Sequence, residues 1–292
     1  MSSFLQFLVG GISLGSIYGL IALGYTMVYG IAKMLNFAHG DVIMVGGFTA
    51  FTIVTTLGLH PAIAVLASIV VCTVLGIVIE KVAYKPLRSA SSLSVLITAI
   101  GVSYLLQNLA LLIFGSNSRQ FTSVVPAIKV NAGPIVITGE TLVTIVVSLI
   151  IIFALNYFIK KTKTGIAMLA VSEDKGAAEL MGINVNKTIS LTFAIGSALA
   201  AVAGVLLCSA YPQISAYTGQ MPGIKAFTAA VFGGVGSIPG AMIGGILLGV
   251  IENLSKAYIS PQLADAIVFG VLIIVLLVKP SGILGKQKNE KV

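Results

Sequence analysis

An interpretation of this chain as an enzyme would start from His39 and Asp41, because an imidazole and a carboxylate can serve as acid and base. No nucleophile–base constellation accompanies them. The two histidines, His39 and His60, have no partners at metal-ligand spacing, and the phosphate-binding pattern G-x-x-x-x-G-K-[ST] does not occur. We therefore expect no catalytic residue, no metal or cofactor bound by this chain, and no ATPase site.

The segment Asn36-Phe-Ala-His-Gly-Asp41 lies between two strongly apolar runs. Ionisable side chains at a membrane are unfavourable unless they are paired, cap a helix or face water. One interpretation is a helix start at the membrane interface, with Asn36 as N-cap and Asp41 near the positive end of the helix dipole. The other is a broken helix that places Asn36, His39 and Asp41 along a translocation pathway. The sequence leaves both open.

A polar stripe marks the apolar run from Ser91 to Phe114. At 3.6 residues per turn, these members share about a quarter of the helix surface: Ser94, Thr98, Gly101 and Asn108. Such a stripe must face protein or water. It either hydrogen-bonds a neighbouring helix or lines the route of a polar solute, so Ser94, Thr98 and Asn108 are pathway candidates. Gln107 lies on a different face and is expected to be structural.

The stretch from Lys160 to Lys187 is the longest with dense charge of both signs. Within it, Ser172 is predicted to cap a short helix whose first turn contains Glu173 and Asp174. A helix of two or three turns is unstable alone in water and needs a surface, either its own membrane helices or a partner. The predicted docking residues are Ser172, Glu173, Asp174, Ala177, Ala178, Glu179, Leu180, Met181 and the helix stop Gly182.

Composition determines the class of fold that positions these residues. Of 292 residues, 57% are hydrophobic and 9% charged, and the mean hydropathy is +1.07. A soluble fold is excluded, and an all-α polytopic membrane protein with about eight transmembrane helices is expected. The net charge of +8 comes from basic residues at segment ends, which indicates the positive-inside pattern rather than nucleic-acid binding. The N-terminus lacks signal-peptide features and is expected to be retained.

Basic segments predict which connections face the cytoplasm. Residues 80–88, 160–188 and the lysine-containing tail from Lys279 are expected inside, and residues 115–140 and 211–223 outside. Counting the predicted membrane crossings back from these segments places the N-terminus outside. The whole chain, 1–292, is expected to form one permease domain, with 160–188 as its cytoplasmic coupling loop.

The apolar run from Phe227 to Glu252 is interrupted by a glycine- and proline-rich cluster. An inside C-terminus requires 223–260 to enter and leave on one side, so we expect a re-entrant half-helix that turns at 233–240 and returns as a longer helix. Backbone N–H and C=O groups that lose their helical partners at membrane depth must line a cavity or be buried in protein. The pathway candidates here are Gly233, Gly234, Gly236, Ser237, Pro239 and Gly240. Glu252 and Lys256 are expected to pair at i and i+4.

Small residues recur every three or four positions in two of the apolar runs. One stripe comprises Gly15, Gly19, Ala22, Thr26 and Gly30, and the other comprises Gly196, Ala200 and Gly204. Each stripe predicts a helix face that another backbone approaches closely.

Three long segments carry a family resemblance. Residues 15–47 (GSIYGLIALGYTMVYGIAKMLNFAHGDVIMVGG), 173–207 (EDKGAAELMGINVNKTISLTFAIGSALAAVAGVLL) and 223–252 (GIKAFTAAVFGGVGSIPGAMIGGILLGVIE) resemble permeases of bacterial branched-chain amino acid ABC importers, LivH type. The match follows the same order over most of the chain. Related permeases for urea, amides or other amino acids share these features, so they are an alternative, as is a stand-alone secondary carrier or channel.

The resemblance implies a set of partners and a docking site. The partners are a second permease (LivM type), two cytoplasmic ABC ATPases that bind ATP and Mg, and an extracytoplasmic amino-acid-binding protein, all at the bacterial inner membrane. The ATPases would dock around Glu173 to Gly182. Gly176-Ala-Ala178 followed by Gly182 keeps the spacing of the E-A-A-x-x-x-G coupling motif, with Gly176 in place of its Glu. Glu173, Asp174 or Glu179 would then supply the acidic contact.

Overall fold

A computed structural model describes residues 2–88, 90–132 and 135–285 and is almost entirely helical. The helices are α1 (Ser2–Ala32), α2 (His39–Phe51), α3 (Pro61–Ile79), α4 (Ser92–Phe114), α5 (Gly139–Lys161), α6 (Lys163–Glu173), α7 (Lys175–Leu180), α8 (Val185–Ala210), α9 (Gln220–Gly233), α10 (Ile238–Tyr258) and α11 (Ala264–Val278). A π-helical stretch (Thr52–Thr56) extends α2, and π and 3-10 stretches extend α3 to Leu87. The tail lysines Lys286, Lys288 and Lys291 lie outside the described residues.

Within the described part of the chain, six helices are long and apolar enough to cross a membrane. They are α1, the extended α3, α4, α5, α8 and α10. The shorter α2, α9 and α11 pack among them. The expectation of an all-α polytopic membrane protein with about eight helices is confirmed, and its membrane-depth helices include discontinuous ones.

The bundle has two ends, which we name by the elements found there. At the α7 end, Lys175 at the start of α7 donates a hydrogen bond to the Ala32 carbonyl at the end of α1. At the opposite, hairpin end, β2 (Lys129–Ala132) pairs with β3 (Ile135–Thr138) just before α5, and β1 (Arg119–Gln120) pairs with β4 (Gln213–Ile214). The N-terminal part of α1 packs there against the C-terminus of α10, through contacts of Phe7 with Tyr258.

Helices α1 and α8 form the centre of the bundle. In the most apolar window of each, 72% and 78% of residues are buried, against 17% in α4 and in α5. The small-residue stripes explain how the central helices pack. A Cβ built on Gly15 would lie 2.5 Å from the Ile246 Cα of α10, and one on Gly196 would lie 3.5 Å from the Gly24 carbonyl of α1. The expected close backbone approach is confirmed for both stripes.

Helices α9 and α10 form a hairpin that turns at the α7 end. Gly219, at the start of α9, packs against Gly40 at the start of α2, whereas α10 reaches the far end of α1 at Phe7. Helix α9 is therefore a half-length helix and α10 a full-length one, as predicted, but the turn between them lies at the α7 end and not at the membrane depth expected of a re-entrant break. The turn lies beside the end of α1, because a Cβ on Gly30 would lie 3.5 Å from the Gly236 Cα.

Candidate functional site

Asn36 lies in the connection between α1 and α2 and is 3% exposed. Its side-chain Oδ1 accepts a hydrogen bond of 2.9 Å from the Tyr84 hydroxyl at the end of α3. The residue at the N-cap position of α2 is Ala38, and no side chain caps this helix. The interpretation of Asn36 as the cap is therefore wrong, because its amide is engaged by Tyr84 instead.

His39 begins α2 in the interior of the bundle. A Cβ built on Gly24 would lie 2.5 Å from His39 Nε2, so α2 starts beside the C-terminal third of α1, about two turns before its end. The imidazole packs edge-on against the Tyr25 ring at a centroid distance of 4.6 Å and hydrogen-bonds the backbone of Ile21. His39 Nε2 is buried and has no hydrogen-bond partner among the described residues. The geometry is that of a discontinuous helix pair, which the second interpretation requires.

Asp41 lies in the first turn of α2 and is 2% exposed. Its Oδ1 accepts a hydrogen bond of 2.9 Å from Gln107 Nε2 of α4, and the same amide nitrogen donates to Ser103 Oγ at 3.2 Å. The carboxylate is thus held by a helix N-terminus and an amide. Gln107, expected to be structural, is the residue that ties α4 to α2, and the sequence stripe did not include it.

The predicted polar stripe of α4 does not face the centre of the bundle. Ser94 and Thr98 are half-buried, whereas Gly101 and Asn108 are exposed in this chain, and Asn108 donates its side-chain amide to the Tyr104 carbonyl of its own helix. The buried residues of α4 are Val95, Ala99, Gln107 and Ala110. The structure therefore does not bring the stripe together with Asn36, His39 and Asp41.

The break between α9 and α10 is a tight turn near the α7 end. Gly234 and Gly236 adopt positive φ of 108° and 89°, and Ser237 caps α10 by accepting a hydrogen bond from the Gly240 amide at 3.2 Å. Pro239 occupies the first turn of α10, where its missing N–H is not needed. Gly233 and Gly240 lie back to back, too close for a Cβ on either.

Chain after α11 covers this break. The Ile283 and Leu284 amides donate to the Phe232 and Gly233 carbonyls, both at 2.9 Å. These carbonyls belong to the last turn of α9, where a helix leaves acceptors without intrahelical partners. The break therefore lies at the end of the bundle rather than at the expected membrane depth, and the carbonyls of Phe232 and Gly233 are paired with this segment.

A buried ionic network joins four helices and includes a residue that the sequence analysis did not single out. Lys225 of α9 lies 2.8 Å from Glu252 of α10 and 2.6 Å from Asp265 of α11. Glu252 also pairs with Lys256 at 2.6 Å, as predicted from their spacing, and accepts a hydrogen bond from the Tyr18 hydroxyl of α1 at 2.8 Å. The sequence signal for Lys225 was its presence as a charged residue in an otherwise uncharged helix.

The predicted coupling segment folds as two helices. Thr162 caps α6 by accepting a hydrogen bond from the Gly165 amide at 3.0 Å, and α6 buries Met168 and Val171 against the bundle. Ser172 lies inside the last turn of α6, so its expected capping role is wrong. Asp174 caps α7 instead, because its Oδ1 accepts a 2.9 Å hydrogen bond from the Ala177 amide.

Helix α7 buries one small residue against the bundle, and the apolar side chains at its end point outward. Ala178 is 3% exposed, whereas Leu180 is 90% and Met181 82% exposed. The helix ends at Gly182, which adopts a positive φ of 81° as expected for a helix stop. Ala177 and Glu179 are exposed on the outward side, so this chain supplies only part of the surface that so short a helix needs.

Lys175 connects α7 to the end of the central helix. Its ammonium donates a 3.0 Å hydrogen bond to the Ala32 carbonyl. Partial burial lowers the pKa of Lys175, and the nearby Arg88 guanidinium lowers it further. A displacement of α7 would therefore act directly on the last turn of α1.

Residues 7–277 match the family described as "Branched-chain amino acid transport system / permease component". Among curated proteins, the chain is 47% identical to the permease protein LivH of Escherichia coli, over 99% of this chain and 98% of that protein. It is 46% identical to BraD of Pseudomonas aeruginosa over the same shares. Both relatives are named as permeases of high-affinity branched-chain amino acid transport systems.

Among solved structures, a chain of PsaBC from Streptococcus pneumoniae is similar, with a TM-score of 0.50 and 16% identity over 95% of this chain and 92% of that chain. At that identity the likeness concerns the fold alone. The sequence matches extend over nearly the whole chain and include α2, α7 and the α9–α10 hairpin. The chain therefore belongs to the family of branched-chain amino acid transport permease components.

Proposed function

We propose that this chain is the membrane-embedded permease subunit of an ABC importer that moves leucine, isoleucine and valine into the cytoplasm. The observation that carries the proposal is 47% identity over 99% of the chain to a permease named for this transport. Carriers of urea, amides or other amino acids and stand-alone carriers are less well supported, because the similar proteins named above transport branched-chain amino acids.

The proposed assembly contains a second permease (LivM type), two cytoplasmic ABC ATPases and an extracytoplasmic amino-acid-binding protein. ATP and Mg bind to the ATPases in this proposal, and this chain does no chemistry. The assembly lies in the bacterial inner membrane, with residues 160–188 and the C-terminus in the cytoplasm.

Helix α7 is the proposed contact with an ATPase. Leu180 and Met181 supply an apolar surface that this chain leaves open, and Glu173 and Glu179 supply negative charge beside it. The motif acid is absent at Gly176, and Asp174 is occupied as the cap of α7. Closure of the ATPases would then push α7, and through Lys175 the end of α1, so that the gate alternates between outward and inward access.

The proposed route of the solute runs past the start of α2. Asn36, His39 and Asp41 lie close together there, beside the C-terminal third of α1, where α2 and α9 both begin. The turn 233–240 would act as a support at the α7 end, since its carbonyls are occupied by the segment after α11. Asn108 is exposed and Ser94 and Thr98 are half-buried, away from the centre of the bundle, where a second permease could contact them.

Uptake of radiolabelled leucine by proteoliposomes tests the proposal. We expect uptake only when the chain is reconstituted with its ATPases, second permease, binding protein and ATP. A vesicle that contains the chain alone is the control. Leucine uptake by that control, or uptake that does not change when ATP is omitted, would show a secondary carrier instead. ATP-driven uptake of urea but not leucine would assign a different substrate.

The docking surface has its own test. Leu180→Asp with Met181→Asp places two charges on the outward face of α7, where burial of both side chains should contribute at least about 3 kcal/mol. We expect ATPase copurification and ATP-driven uptake to fall at least about tenfold. The matched control is Leu57→Asp with Leu59→Asp, two exposed leucines between α2 and α3, which should retain ATPase copurification. Equal retention in both pairs would contradict docking at α7.

A further inference from the structure

A short, well-bonded connection joins α7 to the long central helix α8. Only residues 181–184 separate the two helices. The Ile183 amide donates a 3.0 Å hydrogen bond to the Ala178 carbonyl of α7, and Asn184 caps α8 by accepting a 2.9 Å hydrogen bond from the Lys187 amide. Because so few residues lie between these bonds, a displacement of α7 must also move the first turns of α8.

The first turns of α8 are bound in turn to the end of the extended α3. Ser190 of α8 donates a 2.6 Å hydrogen bond to Glu80 Oε2. Arg88, after α3, pairs with the same Glu80 and also donates to Asn186 of α8. The Glu80 side chain is 0% exposed, and a buried carboxylate that loses its partners is strongly unfavourable. The end of α3 therefore has to follow the start of α8.

The π-helical stretch Glu80–Tyr84 connects this contact to the segment before α2. Its two buried residues are Glu80 and Tyr84, which lie about one helical turn apart and share one face. The Tyr84 hydroxyl donates a 2.9 Å hydrogen bond to Asn36 Oδ1, and its ring packs against the Phe193 ring of α8 at a centroid distance of 5.1 Å. Stretches of π-helix within α-helices often occur at functional sites.

We propose that the π-helical stretch Glu80–Tyr84 carries a displacement of α7 to Asn36, and that Tyr84 is the positioning residue for Asn36. This inference rests on the proposed function, in which an ATPase binds α7 and the solute passes Asn36. The hydrogen bond from Lys175 to Ala32 reaches only the end of α1. The contacts through α8 and α3 instead reach the connection that leads into α2, so a movement of α7 repositions the Asn36 amide itself.

The variant Tyr84→Phe tests the last contact of this series, because it removes the hydroxyl and keeps the ring. Leucine uptake and ATP hydrolysis are measured together in proteoliposomes that contain the full assembly. We expect ATPase copurification and ATP hydrolysis to be retained, and the leucine taken up per ATP hydrolysed to fall about fivefold, as for substitutions along a coupling network. Tyr157→Phe is the matched control, since Tyr157 of α5 is 68% exposed, and it should leave this ratio unchanged.

A double-substitution cycle tests whether the two contacts act in series. Ser190→Ala removes one donor to Glu80 while Arg88 keeps the carboxylate paired. If the contacts form one series, Tyr84→Phe with Ser190→Ala lowers the uptake per ATP no further than the more severe single variant, because one break already interrupts the series. A double variant whose loss is the product of the two single losses would overturn the series.

A merely structural role of Tyr84 predicts a different result. Uptake would then fall in parallel with ATPase copurification or with the midpoint of thermal unfolding in detergent, and this outcome overturns the inference. An equal uptake per ATP in Tyr84→Phe and Tyr157→Phe, with ATP-driven uptake in the unchanged assembly, overturns the inference alone. Absence of ATP-driven leucine uptake in the unchanged assembly overturns the proposed function, and the inference with it.

Discussion

At the scale of single residues, the structure shows which of two neighbouring amides on α4 has a buried partner. Gln107 and Asn108 are adjacent amides on α4, yet Gln107 is 4% exposed and Asn108 lies on the exposed face. Gln107 donates to the buried Asp41 carboxylate, while Asn108 donates only within its own helix. A buried charge that loses a partner is much less stable than an exposed amide that is replaced.

Gln107→Leu should therefore lower the free energy of unfolding by about 2 kcal/mol, because the Asp41 carboxylate loses a charge-assisted hydrogen bond. The measurement is thermal unfolding in detergent with a thiol-reactive dye, since Cys72 and Cys208 are both free and buried and react only when the fold opens. Asn108→Leu is the matched control and should change stability by less than about 0.5 kcal/mol. An equal effect of both would show that Gln107 does not support Asp41.

At the scale of elements, Lys225 is the link between α9 and the two helices that follow it. Its side chain is 7% exposed and lies against both Glu252 and Asp265. Lys256 meets the same Glu252 but is 38% exposed. Removal of a buried partner leaves an uncompensated charge, whereas removal of a partly solvated partner lets water replace it.

Lys225→Met is expected to destabilise the protein by about 3 kcal/mol. Lys256→Met should cost about 1 kcal/mol or less. The same thiol-dye measurement compares the two, and limited proteolysis would detect release of α9 from α11 in the Lys225 variant. Similar midpoints for both variants would mean that the network does not hold α9.

Periodicity and charge were sufficient to predict most of the elements. The small-residue stripes predicted close packing of α1 and α8, and the parity of basic segments predicted the half-helix α9 and its turn. The capping roles of Asn36 and Ser172 were wrong, because a capping-type residue has several possible acceptors and donors, and tertiary neighbours decided between them. Tyr84 engages Asn36, and Asp174, two positions later, caps the following helix.

Two features could not have been read from the local pattern. The start of α2 beside Gly24 depends on how the connection 33–38 folds back along α1, and no periodicity records that path. The network around Lys225 requires four helices to meet, which is a long-range property of the bundle. The direction in which the polar stripe of α4 faces depends on the neighbouring helices, and the sequence of α4 does not contain that information.

At the scale of the whole molecule, burial and charge are both distributed unevenly. Helices α4 and α5 bury little of their surface, so lipid or another subunit must cover them. Basic residues collect at the α7 end: Lys33, Lys81, Lys85, Arg88, Lys160, Lys161, Lys163, Lys175 and Lys187. The hairpin end carries Arg119, Lys129 and Lys256. The positive-inside rule therefore predicts that the α7 end faces the cytoplasm.

Labelling of single introduced cysteines tests this orientation, because Cys72 and Cys208 are buried and should remain unlabelled in the folded protein. Met181→Cys reports on the α7 end and Val130→Cys on the hairpin end, since both positions are exposed. In intact cells, a membrane-impermeant maleimide should label Val130→Cys and should reach Met181→Cys only after permeabilisation. The reverse pattern would invert the bundle, and because α7 would then face away from the cytoplasm, its contact with an ATPase would be impossible.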